Sequence, residues 1–327
     1  MMDRRRFLLT SLAGVVAAPL AAEAQPAKNA RLGYLSSTPP SDTEAALDAF
    51  RRRLSDFGYV AGQNLVIDYR YADGRFEKLP ELAAELMRLR VDVIFVYGTP
   101  ASLVAKNSTM TIPIVFAGVN DPLTIGLVRS LRQPGGNVTG VTTNNSELSA
   151  KRLSLVKEAV PTASRVAVLE NPDFKPSSNM LRQMEVAARP LGLQLQVVEA
   201  RTAQELTTAF TTLTAVRPDA LVVLPDPWLL SQRRRVVEPV TNSRIPAMYH
   251  LRQYLEVGGL MAYGPSYTES FQQGAVLVDR ILKGSAPKDL PVEQPWRFEL
   301  VINLKTAKAL GLTIPPSLLA RADQVIE

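Results

Sequence analysis

Val91-Asp92-Val93-Ile94-Phe95-Val96-Tyr97-Gly98-Thr99-Pro100-Ala101-Ser102 decides the fold. The run from Val91 to Tyr97 is almost continuously apolar, as a strand is when both faces of its sheet are covered. It passes through Gly98 into the start of a helix, with Thr99 as N-cap and Pro100 at the first helical position. The same alternation extends outward. Residues 31–35 read as a strand. Residues 42–57 read as a helix, with Asp42 as its cap, Ala46, Phe50 and Leu54 on one face, and Gly58 as its end. Residues 65–71 alternate as a strand, 77–90 are helical, and 112–117 and 137–143 are further strands. Strands alternating with helices imply a parallel sheet covered on both faces, the α/β class.

The pattern then restarts. A helix over 149–160 ends at Pro161. Residues 165–169 answer 31–35, and 193–198 answer 65–71. Pro218-Asp219-Ala220-Leu221-Val222-Val223 answers Val91-Asp92-Val93-Ile94-Phe95-Val96. Arg244-Ile245-Pro246-Ala247-Met248 answers Thr111-Ile112-Pro113-Ile114-Val115, and Gly258-Gly259-Leu260 answers Gly135-Gly136-Asn137. The partners keep an offset of roughly 125–135 residues, a weak internal repeat. The expected architecture is two Rossmann-like lobes with parallel sheets joined by a hinge. Lobe 1 is expected over 31–143 plus 263–290, and lobe 2 over 144–262 plus 291–327. Val141-Thr142-Thr143 and Met261-Ala262-Tyr263 are the expected crossings, with a third at 296–300.

A chain of 327 residues exceeds what one core usually fills, which agrees with two lobes. The net charge of +6 is partly carried by Arg4, Arg5 and Arg6, and the rest is dispersed. It lacks the clustered basic stripe with interleaved aromatics of a nucleic-acid binder. There is no cysteine, which removes disulfides, thiolate metal sites, a cysteine nucleophile and a lipid-anchored export signal. The one histidine, His250, is too few for a histidine-rich metal site. It is expected to make an ordinary hydrogen bond.

The first 24 residues read as an address. Arg4-Arg5-Arg6 precede an apolar run from Phe7 to Ala22, and Ala22-Glu23-Ala24 supplies small residues for cleavage, the order of a signal peptide. Paired arginines before Phe7-Leu8 have twin-arginine character, with the general route as the alternative. The run is too short, and too broken by Gly14 and Pro19, for a membrane span of about 20 residues. The expected product is a soluble periplasmic protein beginning near Gln25.

In open parallel sheets, ligands bind beyond the carboxyl ends of strands. Two lobes facing each other there make a hinged jaw. The strand ends carry Ser36 and Ser37, then Gly98, Thr99 and Ser102, then Asn120 and Asp121, and Thr143 at the crossing. In the second half Asn171, Asp226, Trp228 and Tyr249 occupy matching places. The helix start at Thr99 offers free N–H groups and a positive dipole end suited to a carboxylate, or simply a capped helix. Asp121 either meets an ammonium or caps a turn. Asp226 and Trp228 either bind a cation and stack on a ring, or cap a helix beside a half-buried indole. The runs Arg51-Arg52-Arg53 and Arg233-Arg234-Arg235 read as solvated helix faces.

No phosphate loop G-x-x-x-x-G-K-S/T, no G-x-G-x-x-G after a strand, no H-E-x-x-H and no G-x-S-x-G occurs. The reading is a binding protein with no catalytic residues, cofactor or metal. A hydrolase using paired carboxylates is the alternative without positive support. Several segments resemble one family, the periplasmic substrate-binding proteins of ABC transporters, in the branch with tryptophan-binding members. They include Phe57-Gly58-Tyr59-Val60-Ala61-Gly62-Gln63-Asn64, Gly98-Thr99-Pro100-Ala101, Gly135-Gly136-Asn137-Val138-Thr139-Gly140, Leu224-Pro225-Asp226-Pro227 and Gly258-Gly259-Leu260-Met261-Ala262-Tyr263-Gly264-Pro265. The resemblance implies a type I periplasmic-binding fold. It also implies an ABC permease and its ATPase as partners, and capture of a small solute such as an amino acid or an aromatic or branched carboxylate. A ligand sensor docking on a membrane receptor would share the same plan.

Overall fold

The computed structural model describes residues 29–327, so the expected signal peptide lies outside the described residues. The chain opens with β1 (Ala30–Ser36), α1 (Glu44–Asp56), β2 (Leu65–Tyr71), α2 (Leu79–Arg88), β3 (Val93–Tyr97), α3 (Thr99–Ser108), β4 (Ile114–Val119) and β5 (Val138–Thr142). These strands form a five-stranded sheet in the order β2-β1-β3-β4-β5, parallel throughout. Every residue of β3 is buried, because α1 lies on one face of the sheet and α2 and α3 on the other.

The second half continues with α4 (Asn145–Ala159), β6 (Arg165–Glu170), α5 (Pro176–Ala188), β7 (Gln194–Glu199), α6 (Ala203–Val216), β8 (Ala220–Val223), α7 (Pro227–Ser231), α8 (Arg233–Asn242), β9 (Ala247–Tyr249) and β10 (Met261–Pro265). It ends with α9 (Tyr267–Leu282), β11 (Phe298–Asn303), α10 (Leu304–Leu310), α11 (Pro316–Leu319) and β12 (Gln324–Ile326). Its sheet runs β12-β11-β10-β9-β8-β6-β7. The five strands β7-β6-β8-β9-β10 repeat the order of the first sheet. The antiparallel β11 and the short β12 extend that edge.

The repeat reaches individual bonds. The Asp92 carboxylate accepts from the Arg31 amide at 2.8 Å, and the Asp219 carboxylate accepts from the Arg165 amide at 2.8 Å. Ile94 N–H donates to Pro113 O and Leu221 N–H to Pro246 O, each at 2.9 Å. The paired Asp and Pro positions of the two halves therefore perform the same tasks. Each aspartate ties a strand start to its neighbour, and each proline carbonyl closes a ladder that the ring itself cannot donate to.

The chain passes between the sheets at three places. The first follows Thr142, and Asn144 turns through a positive φ of 55° into α4. That helix starts four residues before the expected 149. The second crossing is at Ser266. Met261-Ala262-Tyr263, expected as a crossing, lies inside β10 and pairs with β9 and β11. The helix that follows, α9, returns to the first sheet. Phe95 stacks on Phe50 of α1 at 4.3 Å and meets Phe271 of α9 edge-on at 5.0 Å. Burial of such rings contributes roughly 1.5–3 kcal/mol each. Residues 292–293 stay with the first sheet through bonds from Val292 N–H to Leu131 O and Glu293 N–H to Gly140 O. The third crossing is thus 294–297, and the sheet boundaries stand three residues beyond the expected 263 and 291.

Candidate functional site

Residues that follow strands of the two sheets meet along a seam between the halves, at Asp42 with Arg233 and at Asp121 with Asn179. On the first sheet Ser36 and Tyr97 are register partners at the ends of β1 and β3. Ser37 Oγ, on the loop after β1, accepts the Ala101 amide at 3.1 Å and so caps α3 from a neighbouring strand. Gly98, not Thr99, occupies the N-cap position. Its φ is +91°, and a Cβ there would stand 2.9 Å from Ser37 Oγ. Ser102 N–H and Oγ–H both donate to Gly98 O. The start of α3 therefore has fewer free donors than its sequence implied. Thr99 Oγ accepts the Asn120 amide at 3.3 Å and ties the β3 and β4 ends together.

Beyond β4 a buried polar cluster forms at the first crossing. Thr143 Oγ–H donates to Asn120 Oδ1 at 2.5 Å, and Asn145 Nδ2 donates to both Asn120 and Thr143. Asn145 Oδ1 accepts from Arg152, whose Nε donates to Tyr263 O at 2.7 Å. Arg152 is completely buried and has no carboxylate within ion-pair reach among the described residues. Burial pulls its guanidinium down to about 9, with Tyr267 and Tyr263 opposing. It joins the first crossing to the end of β10, which lies next to the second. Neither Arg152 nor Asn145 was marked by the sequence, since an arginine or asparagine in an amphipathic helix ordinarily faces water.

Across the seam, Asp226 caps α7 by accepting the Leu229 amide at 2.6 Å, and Asn171 Nδ2 donates to it at 3.3 Å. Burial raises its carboxyl to about 6, against the pull of these bonds. Trp228 packs half-buried against the core of its own half. Tyr249 is a core residue, stacked on Tyr254 at 4.6 Å. His250 is buried, and its Nδ1 has no hydrogen-bond partner among the described residues, contrary to the expected ordinary bond. Burial, then the Arg152 charge, holds its pKa well below the ordinary value, so the ring is neutral.

The halves touch at named points. Arg233 Nη2 meets Asp42 Oδ1 at 2.8 Å, with the two side chains 20% and 4% exposed. Arg233 is thus an inter-sheet ion pair and not part of a solvated face. Asp42 does not cap α1, because residues 40–42 form a short 3-10 turn and Thr43 takes the cap position. Gln253 Nε2 adds a bond to Asp42 O at 3.3 Å. At the other end of the seam Asn179 Nδ2 donates to Asp121 Oδ2 at 3.3 Å. Asp121 also caps its own turn through Thr124. Cavities of about 230 Å³ and 260 Å³ lie beside these two contacts.

Residues 40–326 match the family described as ABC transporter substrate binding protein. The chain belongs to that family. This substrate-binding protein is 29% identical, over 87% of its length and 81% of the relative's, to a tyrosine-binding protein of Clostridioides difficile strain R20291. It superposes with a TM-score of 0.84 on a Streptococcus domain in complex with L-Trp, at 27% identity, covering 91% of this chain and all of that one. The TM-score falls to 0.71 against a ligand-free, open substrate-binding protein of Clostridium difficile, at 26% identity, covering 91% of this chain and 99% of that one. Among the described residues of the substrate-binding protein, no group of three or more metal-ligating side chains forms, and no helix is long and apolar enough to cross a membrane.

Proposed function

We propose that this chain is the exported, periplasmic solute-binding component of an ABC importer, holding an amino acid or an aromatic or branched carboxylate between its two sheets. Its partners would be an ABC permease and the ATPase that drives it. The observation that carries the reading is the seam itself. Strand ends from both halves bring buried polar groups together there, and contacts at both ends hold the halves close. The higher agreement with the L-Trp-bound relative than with the open one supports a closed arrangement, and the names of the relatives support an aromatic amino acid.

In this reading the segments at 143–144, 266 and 294–297 form a three-stranded hinge, and each lobe moves as a body around them. Solute bound by both lobes favours the closed form, because the open form offers only half of the contacts. The permease would read that closure. Substitution of Thr99 on the first half and of Asp226 on the second is expected to weaken capture.

A thermal-shift screen over L-tyrosine, L-tryptophan, branched amino acids, aromatic acids, nucleosides and sugars tests the reading. A solute at 100 times its Kd stabilises the fold by about 2.7 kcal/mol. A rise in midpoint with an amino acid or an aromatic or branched carboxylate is the expected result. A response confined to sugars or nucleosides would overturn the solute class. Turnover of the bound compound would overturn the assignment as a binding protein.

A further inference from the structure

The cavity of about 230 Å³ beside the Asp42–Arg233 contact is lined by Asp42, His250, Gln253, Glu256, Tyr267 and Glu299 among others. Three of these lining residues carry a buried polar atom without a hydrogen-bond partner among the described residues. Asp42 gives Oδ1 to Arg233, while its Oδ2 has no partner. Gln253 uses its amide nitrogen on Asp42 O, while its Oε1 has no partner. His250 Nδ1 also has none. The Asp42 side chain is 4% exposed and Gln253 7%, so water does not serve these atoms freely. Buried acceptors left without donors are costly. The one cation of the lining, Arg252, lies 3.6 Å from Glu256.

We propose that this cavity receives a primary ammonium group, held between Asp42 Oδ2 and Gln253 Oε1, and that these residues form the amine-recognising end of the solute site. The proposal rests on the solute-binding reading above and names the part of the solute that this end selects. An ammonium brings three donors and one positive charge. The cavity offers a carboxylate oxygen, an amide oxygen and, in the tautomer protonated at Nε2, the Nδ1 lone pair of a neutral imidazole. Burial drives the Asp42 carboxyl upward more than Arg233 draws it down, so the arginine alone does not settle the charge. Asp42 belongs to the first half, and Gln253 and His250 to the second. An ammonium bound here bridges the seam and favours closure directly. The same atoms repel a carboxylate, so the acid group of an amino acid must lie elsewhere along the seam.

The test is calorimetric titration of the purified protein with matched pairs. These are L-tyrosine and 3-(4-hydroxyphenyl)propionate, L-tryptophan and 3-indolepropionate, and L-leucine and 4-methylvalerate, with tyramine added. The des-amino partner is expected to bind at least about tenfold more weakly. Asp42→Asn should remove most of that difference. Arg233→Gln should weaken both partners and keep a difference, because the ammonium then supplies the positive charge that Asp42 has lost. Gln253→Glu should widen the difference, a gain that loss of structure cannot imitate. The proposal is overturned if Asp42→Asn keeps the full preference or if no amine binds. Equal binding of des-amino acids overturns it while leaving an aromatic or branched carboxylate as solute. Binding of tyramine without any amino acid supports it and overturns the proposed solute class instead.

Discussion

Arg233 and Asp42 meet at 2.8 Å across the seam although 191 positions separate them. A partly buried pair of this kind lies between an exposed one, worth about 0–1 kcal/mol, and a fully desolvated one. Arg233→Gln is expected to cost about 1–2 kcal/mol of closure, or roughly tenfold in solute affinity. Small-angle scattering without solute should show a larger radius of gyration for the variant. A double-mutant cycle with Asp42→Asn should return a coupling of the same size, whereas additive effects would mean that the pair does not hold the halves together.

Asp226 makes stability depend on pH. Its carboxyl titrates at about 6 in the folded protein, against an ordinary value of 3.8. The folded state therefore binds this proton more tightly than the unfolded chain does. The resulting stabilisation is full below about pH 4 and is lost as pH rises through about 6, a contribution on the order of 3 kcal/mol. Asp226→Asn removes it. Urea unfolding should show the variant gaining on the wild type by that amount between pH 4 and pH 7, and a constant difference would refute the linkage.

Arg152 holds two crossings through neutral acceptors. Arg152→Met would leave Tyr263 O and Asn145 Oδ1 buried without a donor, and a loss of about 2–4 kcal/mol is expected from urea unfolding. Arg152→Lys should recover little, since one ammonium cannot reproduce the spread of a guanidinium fork. Full recovery by lysine would show that charge alone matters at this position.

The repeated architecture was legible because its signals are local. Val91–Tyr97 and its counterpart at 218–223 are apolar runs, and a strand covered on both faces needs nothing subtler. The Asp and Pro positions of the two halves matched for the same reason, each serving its own sheet. The roles at the seam were not legible. Asp42 looks like a helix cap and Arg233 like part of a solvated run, because their partner lies on the other half of the molecule. Thr99 reads as the cap although Gly98 holds that position, since the capping bond is supplied by Ser37 from the loop after β1. The crossing at Ser266 is not legible because β10 continues its ladder through Pro265, next to an antiparallel neighbour that the first half lacks.

Gly264 allows β10 to lie against the loop after β9. A Cβ at this position would stand 2.0 Å from His250 O, a backbone atom that cannot swing away. Gly264→Ala is expected to cost more than about 3 kcal/mol, as overpacking against fixed neighbours does at its upper end. Thermal unfolding should show either a greatly lowered midpoint or no cooperative transition. A near-normal midpoint would mean that the two segments can separate without loss.

The return of α9 to the first sheet ties the order of folding to the order of synthesis. Phe95 and Phe50 belong to the first hundred residues made, yet Phe271, which covers them, comes from the last quarter of the chain. The first lobe therefore cannot finish its core while the chain is still growing. Nearly the whole polypeptide must be present before either half is complete. A late-made helix seals the first-made core, so a truncated product fails in both lobes at once.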